Sequence, residues 1–351
     1  MGAIPAYQEF AQRRYFGSLD GVRCIAILAV LWHHAPAFDP GQEPLMLLNR
    51  GFLGVDLFFV LSGFLITTLL LREEDREGRF SIKGFYRRRA LRILPVYLLL
   101  VTALSLYYIG VKGRTELTAL VPYYYLFLAN FLTSDIPLLA PTWSLSVEEQ
   151  YYLVWPLVLL LTARARHGRG WILGAAILFF LAVQQWGMWP GPIATEHALW
   201  AWPGGAYGAI LLGALLAIIL HSPQGFERVA RVLGGRWTPL WLLGVLMILM
   251  EVLPGDLTGW PQFLLHLVMM AFLASVVLRE DHVLQPVLTA AVVARIGAIS
   301  YGIYLYHLIG LDLTTRLLEG DAVISIVYVL VSIVIAEISF RTYERYFLSL
   351  K

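Results

Sequence analysis

The sequence predicts an all-α integral membrane protein, about ten transmembrane helices forming a single domain over residues 1–351, and three observations carry that prediction. Of the 351 residues, 59% are hydrophobic and only 14% charged, with a mean hydropathy of +0.70, well above a soluble globular domain. Ten apolar runs have the roughly 17 to 25 residues needed to cross a bilayer: about 21–38, 51–71, 93–110, 146–162, 171–189, 204–220, 236–253, 260–278, 296–313 and 321–340. The basic residues segregate between alternate loops.

Before the first run, MGAIPAYQEFAQRRYFGS is mostly polar and lacks a cleavable signal pattern, so the first span is expected to direct insertion. Between the third and fourth runs lies VPYYYLFLANFLT, about 121–133. It is too short to span and is expected to be re-entrant or interfacial, because non-helical backbone at membrane depth survives only against protein or water. With the N-terminus inside, the cytoplasmic segments collect Arg13, Arg14, the cluster from Arg72 to Arg92, Arg164, Arg166, Arg169, Arg228, Arg231, Arg236, Arg279, Arg295, Arg341, Arg345 and Lys351. Arg50, Lys112, Arg114 and Arg316 fall outside. This asymmetry satisfies the positive-inside rule and predicts that both termini are cytoplasmic. Aromatic and proline-rich stretches, QQWGMWPGP and LWAWPGG, suit the opposite interface. The net charge of +2 says nothing about nucleic acid, and no nucleic-acid partner is expected; the single cysteine, Cys24, excludes an internal disulfide framework. Cys24 is expected to pack.

The first span, SLDGVRCIAILAVLWHH, carries ionisable residues at both ends. Eleven helical steps from Arg23 to His34 rotate about 1100°, within about 20° of three full turns, and advance about 16 Å. Arg23 and His34 therefore share a face, while His33 points roughly 80° away from Arg23. Ionisable groups at such depth normally face a bundle interior or a wet cavity. The plainer alternative is that Arg23 snorkels to lipid headgroups and the histidines bond between helices.

The second span opens GFLGVDLFFVLSGFLI, with Asp56 near the outer boundary. A carboxylate there is suited to accept an imidazole N–H and orient His34, or else to make an interhelical polar contact. Gly51, Gly54 and Gly63 suit close helix approach. The third, FYRRRALRILPVYL, places Arg88 and Arg92 on one face with Arg89 beside Arg92. Such a cluster anchors topology on anionic lipid, or recognises phosphates through forked guanidinium donors. The fourth, PTWSLSVEEQYYLVWP, sets Glu148 and Glu149 at the outer start of a span. Ser146 and Glu149 have capping-box spacing, whereas Glu148 shares a face with Tyr152 and is expected to point into the outer cavity of His34 and Asp56.

In order and spacing these four segments resemble the acyltransferase family 3 membrane proteins, and SYGIYLYH near the C-terminus resembles that family's late Ser-Tyr-x-x-Tyr-x-x-His pattern. The motifs cover about half of the first 160 residues plus the ninth span. The resemblance implies a multi-pass enzyme of the bacterial inner membrane that O-acylates a carbohydrate acceptor outside the cytoplasm. Its donor would be acyl-CoA, usually acetyl-CoA, with no metal. It assigns the family's arginine and histidine to Arg23 and His34, its arginine cluster to Arg88, Arg89 and Arg92, and its glutamate to Glu148. His34, Asp56 and Glu148 are then the expected catalytic residues. Arg23, Arg88, Arg89 and Arg92 would hold the donor, and Trp143, Tyr152, Tyr304 and His307 would line the substrate path. Some members carry a fused esterase-like domain; here a second catalytic step is expected to need a separate periplasmic protein.

Other histidines carry less: His266 is expected to pack and His197 to sit in an exposed loop. No histidine and carboxylate set has metal-ligand spacing on one element. A membrane transporter of an anionic or glycosylated small molecule is the rival reading, though paired halves with interrupted helices are not visible. A non-catalytic scaffold would have no need of Arg23, His34 and Glu148 at membrane depth.

Overall fold

The computed structural model describes residues 3–13, 15–38, 46–163, 168–185, 193–200, 205–255, 257 and 259–351. Arg14, Arg164, Arg166, most of QQWGMWPGP and the centre of LWAWPGG lie outside the described residues.

Long apolar runs in lipid must satisfy their backbone polar groups internally, and helices do so within one segment. In chain order the helices are α1 (Ala3–Gln12), α2 (Ser18–His33), α3 (Leu53–Glu77), α4 (Ile82–Ser105), α5 (Val121–Tyr125), α6 (Thr142–Leu161), α7 (Arg169–Gln185) and α8 (Gly205–Leu220). They continue as α9 (Pro223–Leu233), α10 (Thr238–Val252), α11 (Trp260–Leu278), α12 (Gln285–Leu288), α13 (Ala291–Ala298), α14 (Ser300–Leu317), α15 (Asp321–Ser339) and α16 (Arg345–Leu348). A two-residue antiparallel pair, Ile193–Ala194 with Leu199–Trp200, is a minor addition.

Each of the ten apolar runs holds a helix, but among the described residues only four segments are long and apolar enough to cross a membrane: Leu53–Glu77, Ile82–Val111, Trp260–Leu278 and Asp321–Leu348. Two bent pairs raise the number to six if each is one span: α8 with α9, bent by 111°, and α13 with α14, bent by 76°. The shortfall from ten has local causes. Helix α2 has 16 residues, about 24 Å of length; α10 has 15; and α6 carries Glu148, Glu149 and Gln150 along its length.

Helix α3 is central, packed against α2, α6, α8 and α11. Glycines permit this: a Cβ at Gly63 would collide with the Ile210 carbonyl of α8, and one at Gly213 with the Val60 carbonyl of α3. Small residues are the usual means of bringing helix backbones together in a membrane. Where α2 ends, α14 and α15 cover it, and the Tyr328 hydroxyl donates to the Leu31 carbonyl.

The 121–133 segment does not span. It is broken into the short helix α5 and a 3₁₀ turn at Ala129–Phe131, with Phe127 at φ 54°. Its irregular backbone is satisfied by neighbouring helices. Gln150 Nε2 donates to the Phe127 carbonyl (2.7 Å), the Tyr97 hydroxyl donates to the Tyr124 carbonyl (2.8 Å), and Ala129 N–H donates to Ser146 Oγ (3.2 Å). Ser146 is thus no helix cap, because α6 starts four residues earlier at Thr142. The capping-box expectation fails for that reason.

A buried ion pair locks one end of the bundle. Arg169 donates to both oxygens of Glu74, at 2.8 and 3.2 Å, and also to the Leu159 carbonyl. Nearby, Arg72 donates to the carbonyls of Arg13 and Phe10, tying the amino-terminal segment to α3.

Candidate active site

Helix α2 joins two cavities. Arg23 lines one of about 340 Å³, and His34, the residue that ends α2, lines another of about 570 Å³. Along the helix the two residues are about 16 Å apart.

The first cavity gathers arginines from three helices: Arg23 of α2, Arg72 of α3, and Arg89 and Arg92 of α4. Helix α4 starts at Ile82, capped by the Ser81 side chain on Gly84 N–H (3.0 Å). The cluster is therefore inside a helix, and its spacing decides which members face inward. Arg89 and Arg92, three apart, line the cavity; among the described residues neither donates a hydrogen bond to protein. Arg89 also lies over the Tyr152 ring, 5.7 Å from its centroid. Arg88 turns to the surface, where it pairs with Glu73 at 2.8 Å. The expectation that Arg88 joins its neighbours in the site is corrected: a neighbouring acid on α3 holds it outside the cavity.

Two carboxylates balance this charge. Asp20, one turn before Arg23, takes a bond from the Arg23 guanidinium and another from the Tyr15 hydroxyl. That bond raises the Tyr15 phenol to about 12. Glu148 accepts from Ser62 Oγ at 2.6 Å and lines the arginine cavity beside Tyr152. It does not join His34 and Asp56 as expected. Because α6 begins at Thr142, Glu148 sits well inside the helix and faces the arginines.

The second cavity is lined by His33, His34, Asp56, Trp143, Asn130, Tyr207, Gln262 and Tyr304, with apolar residues between them. His34 Nδ1–H donates to the Val30 carbonyl at 2.9 Å. A carbonyl only accepts, so this bond fixes the tautomer with Nε2 unprotonated. The orienting partner is backbone, and the expected Asp56–His34 bond is not formed. Asp56 instead faces His266 of α11, with Nε2 and Oδ2 3.1 Å apart at an angle poor for a hydrogen bond. His307 meets the His34 ring edge to face, ring centroids 4.8 Å apart, and lines neither cavity. Its Nδ1–H donates to the Tyr304 carbonyl at 2.7 Å, and its buried Nε2 has no partner among the described residues.

Of the expected residues, then, Arg23, Arg89, Arg92, Glu148 and Tyr152 share one cavity, and His34, Asp56 and Trp143 share the other. Tyr304 borders both. Sequence reading passed over Asp20, Ser62 and Ser144, whose only signal is polarity within apolar runs. It also assigned His266 to packing, because its partner is 210 residues away in sequence. Among the described residues no group of three or more His, Cys, Asp or Glu is placed to hold a metal ion.

A family model for the acyltransferase domain matches residues 16–339. Similar curated proteins include a putative O-acetyltransferase of Staphylococcus aureus, 26% identical over 99% of this chain and 59% of its own length. The peptidoglycan O-acetyltransferase of Listeria monocytogenes is 26% identical over 95% of this chain and 56% of its own. A putative peptidoglycan O-acetyltransferase of Bacillus subtilis is 27% identical over 97% of this chain and 56% of its own. The chain thus spans less than two thirds of the length of these relatives. No solved structure matches it.

Proposed function

The chain belongs to the acyltransferase domain family, and from that premise we propose that it moves an acetyl group from cytoplasmic acetyl-CoA to a hydroxyl of a glycan outside the cytoplasm. The observation that carries this reading is the placement of Arg23 and His34 at opposite ends of α2, each in its own cavity. One cavity has the chemistry of a phosphate-rich donor, the other that of a sugar acceptor.

In this reading the arginine cavity opens to the cytoplasm of a bacterial inner-membrane protein with ten crossings and both termini inside. Arg89 and Arg92 present forked donors that no described residue accepts, suited to the phosphates of coenzyme A. Arg23, held by Asp20, adds a third positive group. Glu148 and Tyr152 border the path of the pantetheine arm, whose amide N–H groups a carboxylate can accept.

The acceptor enters the histidine cavity from the other side. Trp143 offers a flat apolar face for a sugar ring, and Asp56, Asn130 and Gln262 offer groups for its hydroxyls. His34 Nε2 takes the proton of the attacking hydroxyl as the new C–O bond forms at the thioester carbonyl. The C–S bond breaks, and the imidazolium returns its proton to the departing thiolate. In the alternative route Nε2 attacks first and carries the acetyl group itself.

Peptidoglycan is the acceptor to try first, since two of the relatives bear it in their names. Purified protein in proteoliposomes, supplied with radiolabelled acetyl-CoA and soluble peptidoglycan fragments, should form an alkali-labile ester on the sugar. Coenzyme A binding without label on any glycan would refute the acceptor. A hydroxylamine-sensitive label on the protein would select the acyl-carrier route.

A further inference from the structure

The two cavities have just two wall residues in common among the described residues, Val55 and Tyr304. Tyr304 stands across the boundary. Its hydroxyl donates to the Pro141 carbonyl at 2.9 Å and lies 2.6 Å from Ser144 Oγ. Pro141 borders the histidine cavity and Ser144 the arginine cavity. The phenol is thus pinned by both sides of the partition it forms.

Val55 completes the partition from α3, and its backbone has little freedom to retreat. The preceding residue, Gly54, is pressed so closely on α2 that a Cβ there would strike the Ala26 carbonyl. Val55 is 8% exposed and Tyr304 7%. Tyr304 also accepts through its carbonyl from His307, whose ring meets His34 edge to face. Val55 and Tyr304 therefore border the boundary between the arginine cavity and the cavity of His34.

We infer that Val55 and Tyr304 form a sieve between donor and acceptor cavities, one that admits a short acyl group, excludes longer ones and keeps the cavities otherwise separate. This rests on the donor-to-acceptor reading above. A hydrophobic constriction discriminates one methylene by about tenfold or more, so trimming Val55 should shift preference by that order for each carbon admitted. The Tyr304 hydroxyl bonds hold the phenol across the gap, whereas the ring itself supplies the bulk.

Two measurements test this separately. In a Cys24→Ser background, His33→Cys places a thiol in the histidine cavity. A small anionic methanethiosulfonate applied to sealed vesicles of either orientation should modify it from the histidine-cavity side alone. Adding Tyr304→Ala, or Val55→Gly should the first variant not fold, should open it to both sides. Equal reaction from both sides with Val55 and Tyr304 intact overturns the partition.

Transfer rates from acetyl-, propionyl-, butyryl- and hexanoyl-CoA then test the sieve. Val55→Ala should raise the butyryl-to-acetyl ratio at least about tenfold, and Tyr304→Phe, which keeps the ring but frees it from Pro141 and Ser144, should raise it by less. Transfer with an unchanged ratio in Val55→Ala overturns the sieve while leaving the donor reading intact. A sealed partition in a protein that transfers from no acyl-CoA overturns the donor reading, and the sieve with it.

Discussion

His266 Nε2 lies 3.1 Å from Asp56 Oδ2, and both side chains are buried. This pairing gives Asp56 a neighbour on α11 in place of His34, and it leaves the carboxylate bordering the histidine cavity. His266 is then a positioning residue for Asp56. His266→Ala removes this buried neighbour and should raise the acceptor KM with a smaller fall in kcat. His266→Asn should recover part of the loss. Steady-state kinetics with varied acceptor will show whether KM moves.

The arginines should separate cleanly. Arg89→Ala and Arg92→Ala each remove a cavity guanidinium and should weaken coenzyme A binding by about 10- to 100-fold, the range of one charge-assisted contact. Arg88→Ala disrupts an exposed pair with Glu73, a class worth under about 1 kcal/mol, and should change binding little. Isothermal titration of the three variants with coenzyme A measures this directly.

Much of that site was legible in the sequence, because Arg23 and His34 share one helix and their spacing could be counted. Arg89 and Arg92 were legible for the same reason. Arg88 was not, since its direction depends on Glu73 of another helix. Glu148 was misplaced because α6 starts at Thr142, before the apolar run on which the span was drawn. His266 meets Asp56 only through the packing of α3 on α11, which no local pattern records. The apolar runs located the helices, yet the bends at α8–α9, where Ser222 caps α9 and Pro223 opens it, and at α13–α14 were not foreseen.

Glu74 and Arg169 provide a structural control. Their side chains are 10% and 3% exposed, and breaking a buried pair by removing one partner costs about 3–5 kcal/mol. Glu74→Gln should lower the unfolding midpoint in detergent while leaving coenzyme A affinity unchanged. Thermal unfolding and titration on the same preparation distinguish this from a role in the site.

Acid should act on a surface pair beyond the spanning helices. Arg279 donates to both oxygens of Asp281, each at 2.6 Å, and holds its carboxyl down at about 2. The folded value lies below the ordinary one of about 3.9, so the pair stabilises the fold above about pH 4 and loses its effect as the pH falls through about 2. The pair is exposed, which limits it to under about 1 kcal/mol. Asp281→Asn should therefore unfold slightly earlier than wild type at pH 7, and the two midpoints should converge near pH 2.

The central claim is that His34 performs the transfer in one cavity while the donor is held in the other. It is tested most directly by His34→Ala, assayed both for labelled acetyl transfer to a glycan fragment and for coenzyme A binding. Transfer should fall by at least about 100-fold, as for loss of a general base, with the coenzyme A Kd within about twofold of wild type. Transfer at the wild-type rate, or a parallel collapse of coenzyme A affinity in folded protein, would contradict the account.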